Sequence, residues 1–442
     1  MSDESKKPEL RIVGKDEDNG VSEIPDEEGN EAAEAGKLRI GRFFKNLAES
    51  REDSPRKLSV VSLSVIIVII LAVVYIIADL STGGMLYTAN GKVVSAVYGG
   101  AAEKFSVNTD SDLVYAFIPY GNAYAILTDN GVTYISSSGS VTASQQITYS
   151  SAGIDTEDSR AIIYDRGYSS YSLHQNESMY SQQETEGKII DAAISGKKNY
   201  AIVCRNEKSE TVLYGMNESG KVIYQWNCPD GYISDVTLNK SGGIACASVI
   251  DSKNAVLYSK VYVLDFEYDS AYAEFEYTDE TVIGTKFLSD RKIQVITDKR
   301  VYLISGRDQS IVYEYGSADV YYTDFSDKFT AVVTKDYSHD DTYNLTLLGK
   351  SGKVRFTVPV YGKIRGISVN NKSVAILFTD KTETYSKSGK LVGITDNINH
   401  YDDIVLNGNY LYVLSSDSVK KIPAYGSSTY NNDTPVEDET TW

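Results

Sequence analysis

Residues Ile364–Ile394 read IRGISVNNKSVAILFTDKTETYSKSGKLVGI. An alternating run, Ile364 to Val369, is followed by a second apolar run, Ala375-Ile376-Leu377-Phe378. Thr379-Asp380-Lys381-Thr382 then reads as a tight turn, because an Asp carboxylate accepts backbone N–H bonds two residues on. A third run ends at Ser388-Gly389-Lys390, and Leu391 opens a fourth. Four short β-type runs separated by Gly, Asn, Asp and Ser are the pattern of an antiparallel sheet.

The same grammar recurs along the chain. Apolar residues five apart mark the first run at Leu113/Ile118, Tyr149/Ile154, Ile189/Ile194, Ile233/Leu238, Val282/Phe287, Val320/Phe325, Ile364/Val369 and Tyr401/Leu406. The starts are 36 to 49 residues apart. The third position is often Asp or Gly: Asp191, Asp235, Gly284, Gly366 and Asp403. Second runs recur at Ala123–Leu127 and Ile293–Ile296, and Gly turns at Ser219-Gly220-Lys221 and Ser351-Gly352-Lys353. A four-stranded unit repeated at roughly 40 to 45 residues predicts an all-β fold, a β-propeller of about eight four-stranded blades, with seven as the alternative count. Met85–Ala89 and Val93 copy the third- and fourth-strand grammar, and Tyr401–Ile422 supplies the first strands of a last unit. Joining the two ends closes the ring and removes exposed sheet edges. The third strand of that joint blade is offered twice, by Met85–Ala89 and by Val419–Ile422.

Outward from the propeller, the domain plan is as follows. Residues 1–36 are acidic, nearly free of aromatic side chains, and read as a disordered tail. Residues 37–57 are basic, and Ile40, Phe43, Phe44 and Leu47 share one helical face, as in an amphipathic helix on an anionic leaflet. Leu58–Ala78 is uncharged; at about 1.5 Å per residue it spans roughly 30 Å, so one N-terminal transmembrane helix is predicted. Seven Lys/Arg precede it and only Lys92 follows nearby, which predicts a cytoplasmic N-terminus and an extracytoplasmic C-terminal domain in the cell membrane. A linker, 79–84, leads to the propeller at 85–425, and a polar tail at 426–442 reads as disordered.

Of 442 residues, 43 are Lys or Arg and 61 are Asp or Glu, a net charge of -18. That argues against nucleic acid as a partner, which calls for basic stripes. Three Cys and three His make a zinc site or a disulfide framework improbable. Cys204 and Cys246 read as inert core thiols, with a bridge between them left open, and His174, His339 and His400 read as surface residues. No nucleophile elbow, P-loop or dinucleotide fingerprint is present. No catalytic residue, metal ligand set or cofactor is therefore assigned. The 35 Tyr read mostly as sheet fillers, ring against a neighbouring sheet and hydroxyl at the edge. Tyr168, Tyr171, Tyr313, Tyr315, Tyr321 and Tyr322 fall near expected loops and form the candidate binding face.

The Leu58–Ala78 anchor and the Tyr-rich repeats from Met85 onward resemble an uncharacterised bacterial family of single-pass membrane proteins. Its exterior domain is a WD-repeat-like or quinoprotein-like propeller. The resemblance implies no catalytic motif. This chain has only Trp226 and Trp442 and no repeated Trp-Asp pair, which sets it apart from true WD repeats. The function expected is a membrane-anchored extracytoplasmic module that binds or scaffolds a protein or cell-envelope glycan, with basic or neutral partners favoured by the acidic exterior. The alternative is a carbohydrate-active hydrolase or lyase using Asp and Glu at the propeller channel.

Overall fold

The computed structural model describes residues 106–429, apart from 109–112, 209, 254–255, 336–340 and 417. The predicted anchor Leu58–Ala78, the basic segment before it and Met85–Ala89 lie outside the described residues. Among the described residues no helix is long and apolar enough to cross a membrane.

The repeats fold as eight antiparallel blades in chain order. Blade 1 starts with Val114–Tyr120, blade 2 with Ala152–Glu157, blade 3 with Lys188–Ile194 and blade 4 with Tyr232–Leu238. Blades 5 to 8 start with Val282–Ser289, Asp319–Phe325, Ile364–Val369 and Asp403–Asn407. First strands of neighbouring blades lie against one another, so they line the channel. Each blade then meanders outward. The hairpin from first to second strand and the turn from third to fourth open on one face; the remaining connections open on the other.

Eight blades resolve the count. The closing blade takes its third strand from Ser418–Pro423 and its outermost strand from Ser106–Asn108, with Val107 opposite Val419. The closing strand of the described structure therefore lies further along the chain than the expected Met85–Val93. Gly426–Thr429, expected to belong to the polar tail, is a fifth strand of blade 7, parallel to its outer strand Leu391–Asp396. Gly393 admits this return of the chain: a Cβ there would collide with the Ala424 carbonyl.

The core is divided among the joints. Each of eight hydrophobic clusters mixes residues of two adjacent blades, for example Ile162, Tyr164 and Leu173 of blade 2 with Ile189, Tyr200 and Ile202 of blade 3. Tyr supplies much of this contact. Tyr171 meets Tyr200 at 5.9 Å, Tyr277 meets Tyr302 at 4.8 Å and Tyr124 meets Tyr412 at 4.4 Å, each pair across a joint. The ring is buried while the hydroxyl reaches the edge: Tyr120 donates to the Ser159 carbonyl at 2.7 Å.

The Asp or Gly at the third position of the first strand has a structural cause. Six first strands carry a β-bulge there, at Ala116, Asp191, Asp235, Gly284, Tyr322 and Gly366. A bulge turns a side chain out of the ladder and toward the next blade. At one of these bulges, that of Asp191, the carboxylate reaches the next blade's backbone. A glycine there leaves room for a side chain of the next blade: a Cβ on Gly366 would press on the Asp403 carboxylate at 3.3 Å.

Candidate functional site

The first-strand carboxylates join blade to blade. Asp155 accepts the Ile194 N–H at 2.8 Å, Asp191 the Val236 N–H at 2.9 Å, and Asp324 the Val369 N–H at 2.7 Å. Ser368 does the same for Leu406 at 3.0 Å. Asp191 also accepts the Tyr164 hydroxyl at 2.6 Å. Burial raises all of these carboxyls. Asp155 and Asp235 are pushed up to about 7, and Asp324 to about 6. The carboxylates of Asp155, Asp191 and Asp235 add mutual repulsion. Asp235 differs from its neighbours, since its Oδ2 is buried without a hydrogen-bond partner. Asp155, Asp191 and Asp324 are occupied by backbone donors of the next blade, which is the arrangement of a joint and leaves no pair divided into acid and base.

Above these joints, on the face of the first-to-second-strand hairpins, the channel opens into a cleft of about 580 Å³. Ile194, Val236, Leu238 and Phe287 line it together with Asp155 and Thr237. Its further charged lining comes from the first strands, hairpins and turns of four blades: Glu157 and Asp158, Lys240, Lys286 and Asp290, and Asp327, Lys328 and Lys350. Lys240 of blade 4 spans to Asp158 of blade 2 at 3.2 Å and lies 3.6 Å from Glu157. Such exposed pairs contribute little stability, about 0–1 kcal/mol, but they neutralise one side of the mouth. Lys286, Lys328 and Lys350 make no ion pair among the described residues. Lys286 occupies, in blade 5, the first-strand position that Asp324 and Ser368 hold in blades 6 and 7. Sequence reasoning missed it because that fifth position varies too much to register as a repeat.

The six candidate Tyr are placed differently from one another. Tyr168 is exposed in a turn of blade 2, whereas Tyr171 is 1% exposed, bonded to Gln183 at 2.8 Å and Tyr200 at 3.0 Å. Tyr315 is also buried and donates to the Arg300 carbonyl at 3.1 Å. Tyr313 bonds to Thr346, and Tyr322 donates to the Arg365 carbonyl at 2.9 Å. Tyr321 is exposed and stands edge-on to Tyr322 at 5.0 Å. Tyr313 therefore meets Tyr315, and Tyr321 meets Tyr322, but Tyr168 lies in blade 2, half a ring from blade 6. Tyr171 and Tyr315 are core residues, unavailable to a ligand, because loop proximity in sequence does not report burial.

The histidines and cysteines also have defined places. His174, expected at the surface, is fully buried between Tyr134 (3.0 Å from Nδ1) and Ser172 (2.9 Å from Nε2). Burial lowers it to about 4, so it is neutral at pH 7. His400 is exposed, while His339 falls outside the described residues. Cys204, Cys228 and Cys246 are free thiols; burial raises Cys204 to about 11 and Cys246 to about 12, as for inert core thiols. Of the segment 336–341, which reads in sequence as a hairpin loop, only Asp341 is among the described residues.

These features define an eight-bladed β-propeller with carboxylates bridging three of its joints and a charged cleft at one channel mouth. The chain belongs to the family of unknown function DUF5711, whose model matches residues 96–424. None of the curated proteins matches it. Among solved structures, the C-terminal WD40 domain of Sif2 is similar, with 12% identity, a TM-score of 0.51, and coverage of 73% of this chain and 99% of that one. Sqt1 of Saccharomyces cerevisiae aligns at 11% identity and a TM-score of 0.50, over 72% of this chain and 98% of its own. BamB from Moraxella catarrhalis aligns at 14% identity and a TM-score of 0.48, over 72% and 95%. At these identities the likeness concerns the fold alone.

Proposed function

We propose that this protein is a single-pass membrane protein, N-terminus inside, whose extracytoplasmic propeller is a binding module for a protein partner. The anchor is Leu58–Ala78, supported by its length and by the basic residues before it. The partner engages the channel-mouth cleft with a segment carrying carboxylates. One observation carries this reading: Lys286, Lys328 and Lys350 face a recessed cleft of about 580 Å³ without ion-pair partners. The global charge of -18 favours basic or neutral partners, and Asp155, Glu157, Asp158, Asp290 and Asp327 line the same cleft; with Lys240 engaged by Glu157 and Asp158, the three lysines outside ion pairs are the groups that partner carboxylates would meet. The binding reading also fits carboxylates that are committed to the joints.

The test is site-specific photo-crosslinking of the full chain in its native membrane. A photo-reactive residue at Lys350 should trap one partner repeatedly, and one at Tyr168 on the opposite face should not. Adding Lys286→Glu should abolish the trapped species. Equal trapping from both faces, or trapping unaffected by Lys286→Glu, contradicts the proposal.

A further inference from the structure

Charge on the channel-mouth face is spread unevenly among the blades. Blade 6 places Lys328 in its first hairpin, Lys350 and Lys353 in its outer turn, and Arg355 at the head of its outer strand, Val354–Tyr361. Blade 7 places Lys372 in its first hairpin and Lys387 and Lys390 in its outer turn. All of these cations are exposed, and Asp327 is the one carboxylate in the four turns. Lys328, Lys350, Lys353, Arg355, Lys372 and Lys387 make no ion pair among the described residues. The matching turns of blades 2 to 4 carry both signs. There Lys198 lies 3.7 Å from Glu218, and Lys240 reaches Glu157 and Asp158.

The basic sector is contiguous. Ser326 donates to the Asn370 carbonyl at 3.4 Å, which joins the first hairpins of blades 6 and 7. Within blade 7 the Lys387 N–H donates to the Lys372 carbonyl at 3.2 Å, so two lysines lie side by side. Gly389 seats the outer turn of blade 7 on the outer strand of blade 6: a Cβ there would strike the Phe356 ring at 2.8 Å, next to Arg355. At its inner end the sector runs into the channel-mouth cleft, which Lys328, Lys350 and Asn371 line. A single solvated lysine needs no partner, but a block of cations on adjacent turns sets up a positive field that draws an anionic chain.

The cleft narrows the choice of chain. Besides its lysines it presents Asp155, Glu157, Asp158, Asp290 and Asp327, and the apolar side chains of Val236, Leu238 and Phe287. A uniform polyanion would meet those carboxylates on entering. A polypeptide changes character along its length and meets both surfaces. Strands about 4.8 Å apart make a blade roughly 14 Å wide from channel to rim, which about four extended residues cover. Resting on the cleft reading above, we propose that the partner's segment is bipartite. Its apolar residues enter the cleft beside Val236, Leu238 and Phe287, and an extended run of Asp and Glu leaves it outward over the cations of blades 6 and 7.

The test uses the full chain in phosphatidylcholine nanodiscs, with fluorescence anisotropy at low and high salt. The probes are a peptide that joins a Leu-Ser half to a Glu-Ser half, about twelve residues in all, its counterpart with Gln for every Glu, and polyphosphate. The Glu peptide should bind about tenfold tighter than the Gln peptide and tighter than polyphosphate, with the difference shrinking as salt rises. Lys353→Glu, Lys387→Glu and Lys390→Glu together, all in exposed turns, should weaken the Glu peptide about tenfold and leave the Gln peptide unchanged. Lys197→Glu, Lys198→Glu and Lys221→Glu together, an equal charge change on the same face of blade 3, should have less than about a twofold effect. Lys286→Glu probes the cleft alone and should also weaken the Glu peptide. If it does so while the triple variant of blades 6 and 7 does not, the cleft reading stands and the outward path is overturned. The reverse pattern overturns the cleft reading and the bipartite segment with it, and no effect from either variant overturns both. Polyphosphate binding as tightly as the Glu peptide, or an equal loss in the blade 3 variant, also overturns the proposal.

Discussion

The joint between blades 3 and 4 and the joint between blades 7 and 8 solve one problem with different means. At the first, Asp191 accepts both the Val236 N–H (2.9 Å) and the Tyr164 hydroxyl (2.6 Å). At the second, Ser368 accepts the Leu406 N–H (3.0 Å), with no carboxylate in that role. The deficit is made up by chain ends. Ser106–Asn108 completes blade 8, and Gly426–Thr429 adds a strand to blade 7. Tyr425 also meets Ser373 at 3.0 Å between hydroxyls. Both joints carry a hydrophobic cluster; the interior joint adds a carboxylate that accepts two donors, whereas the blades of the closing region add backbone pairing at their outer edges. The closing blade must be assembled from segments some 300 residues apart, so its loop-closure entropy is the largest in the molecule.

The sharpest way to break this contrast is Asp191→Ala. It strips two donors of their acceptor inside the ring, and stability in urea should fall by about 3 kcal/mol or more. A loss below about 1 kcal/mol would mean the carboxylate is not a joint. At the other joint, Gly393→Ala pushes a methyl group into the Ala424 carbonyl and should dislodge the added strand. The expected loss is about 2 kcal/mol, with faster amide exchange over residues 426–429. Ser368→Ala leaves one buried N–H unpaired and should cost about 1 kcal/mol, less than the carboxylate joint.

The acidic side of the comparison can be sharpened by pH. Burial holds Asp155 and Asp235 at about 7 in the folded protein, above the unfolded value near 4. The folded state therefore binds more protons between those two values. Stability should be highest at the acidic end of that window, fall as pH rises through it and level off above pH 7. Asp235→Asn should flatten part of this slope and raise stability at pH 8 by about 1 kcal/mol, with little change at pH 5. Thermal melts of the two proteins across that range check the sign.

The comparison also explains what was legible from sequence. Interior blades repeat a local code of five-residue spacing, bulge-position Asp or Gly, and turn Asp or Gly. Tight turns favour those residues and four of the six bulges carry them, so periodicity revealed the all-β propeller and a count of about eight, with seven left open. The closing strand was misplaced because Met85–Val93 carries the local code, whereas Ser106–Asn108 is too short to carry any. The added strand Gly426–Thr429 was missed for a related reason: its partner is backbone, and polar residues pair there as well as apolar ones. At the sites, the Tyr-based reading failed to separate Tyr168 and Tyr321 from the buried Tyr171 and Tyr315. A ring that packs across a joint and a ring that faces solvent sit in the same strand-end sequence. Lys286 was invisible because its position varies from blade to blade, with Ala193, Thr237, Asp324 and Ser368 as its equivalents.

The central claim is a ring of eight blades closed by pairing the described N-terminal strand with the last blade. Cysteine pairing measures this directly. In full-length protein with Cys228→Ser, the double substitution Ser106→Cys and Lys420→Cys sets two thiols on facing positions of the register. Mild oxidation should link them rapidly within one chain, and the same pairing attempted from Tyr87→Cys should fail. Efficient linkage from position 87, with position 106 left free, would contradict the account.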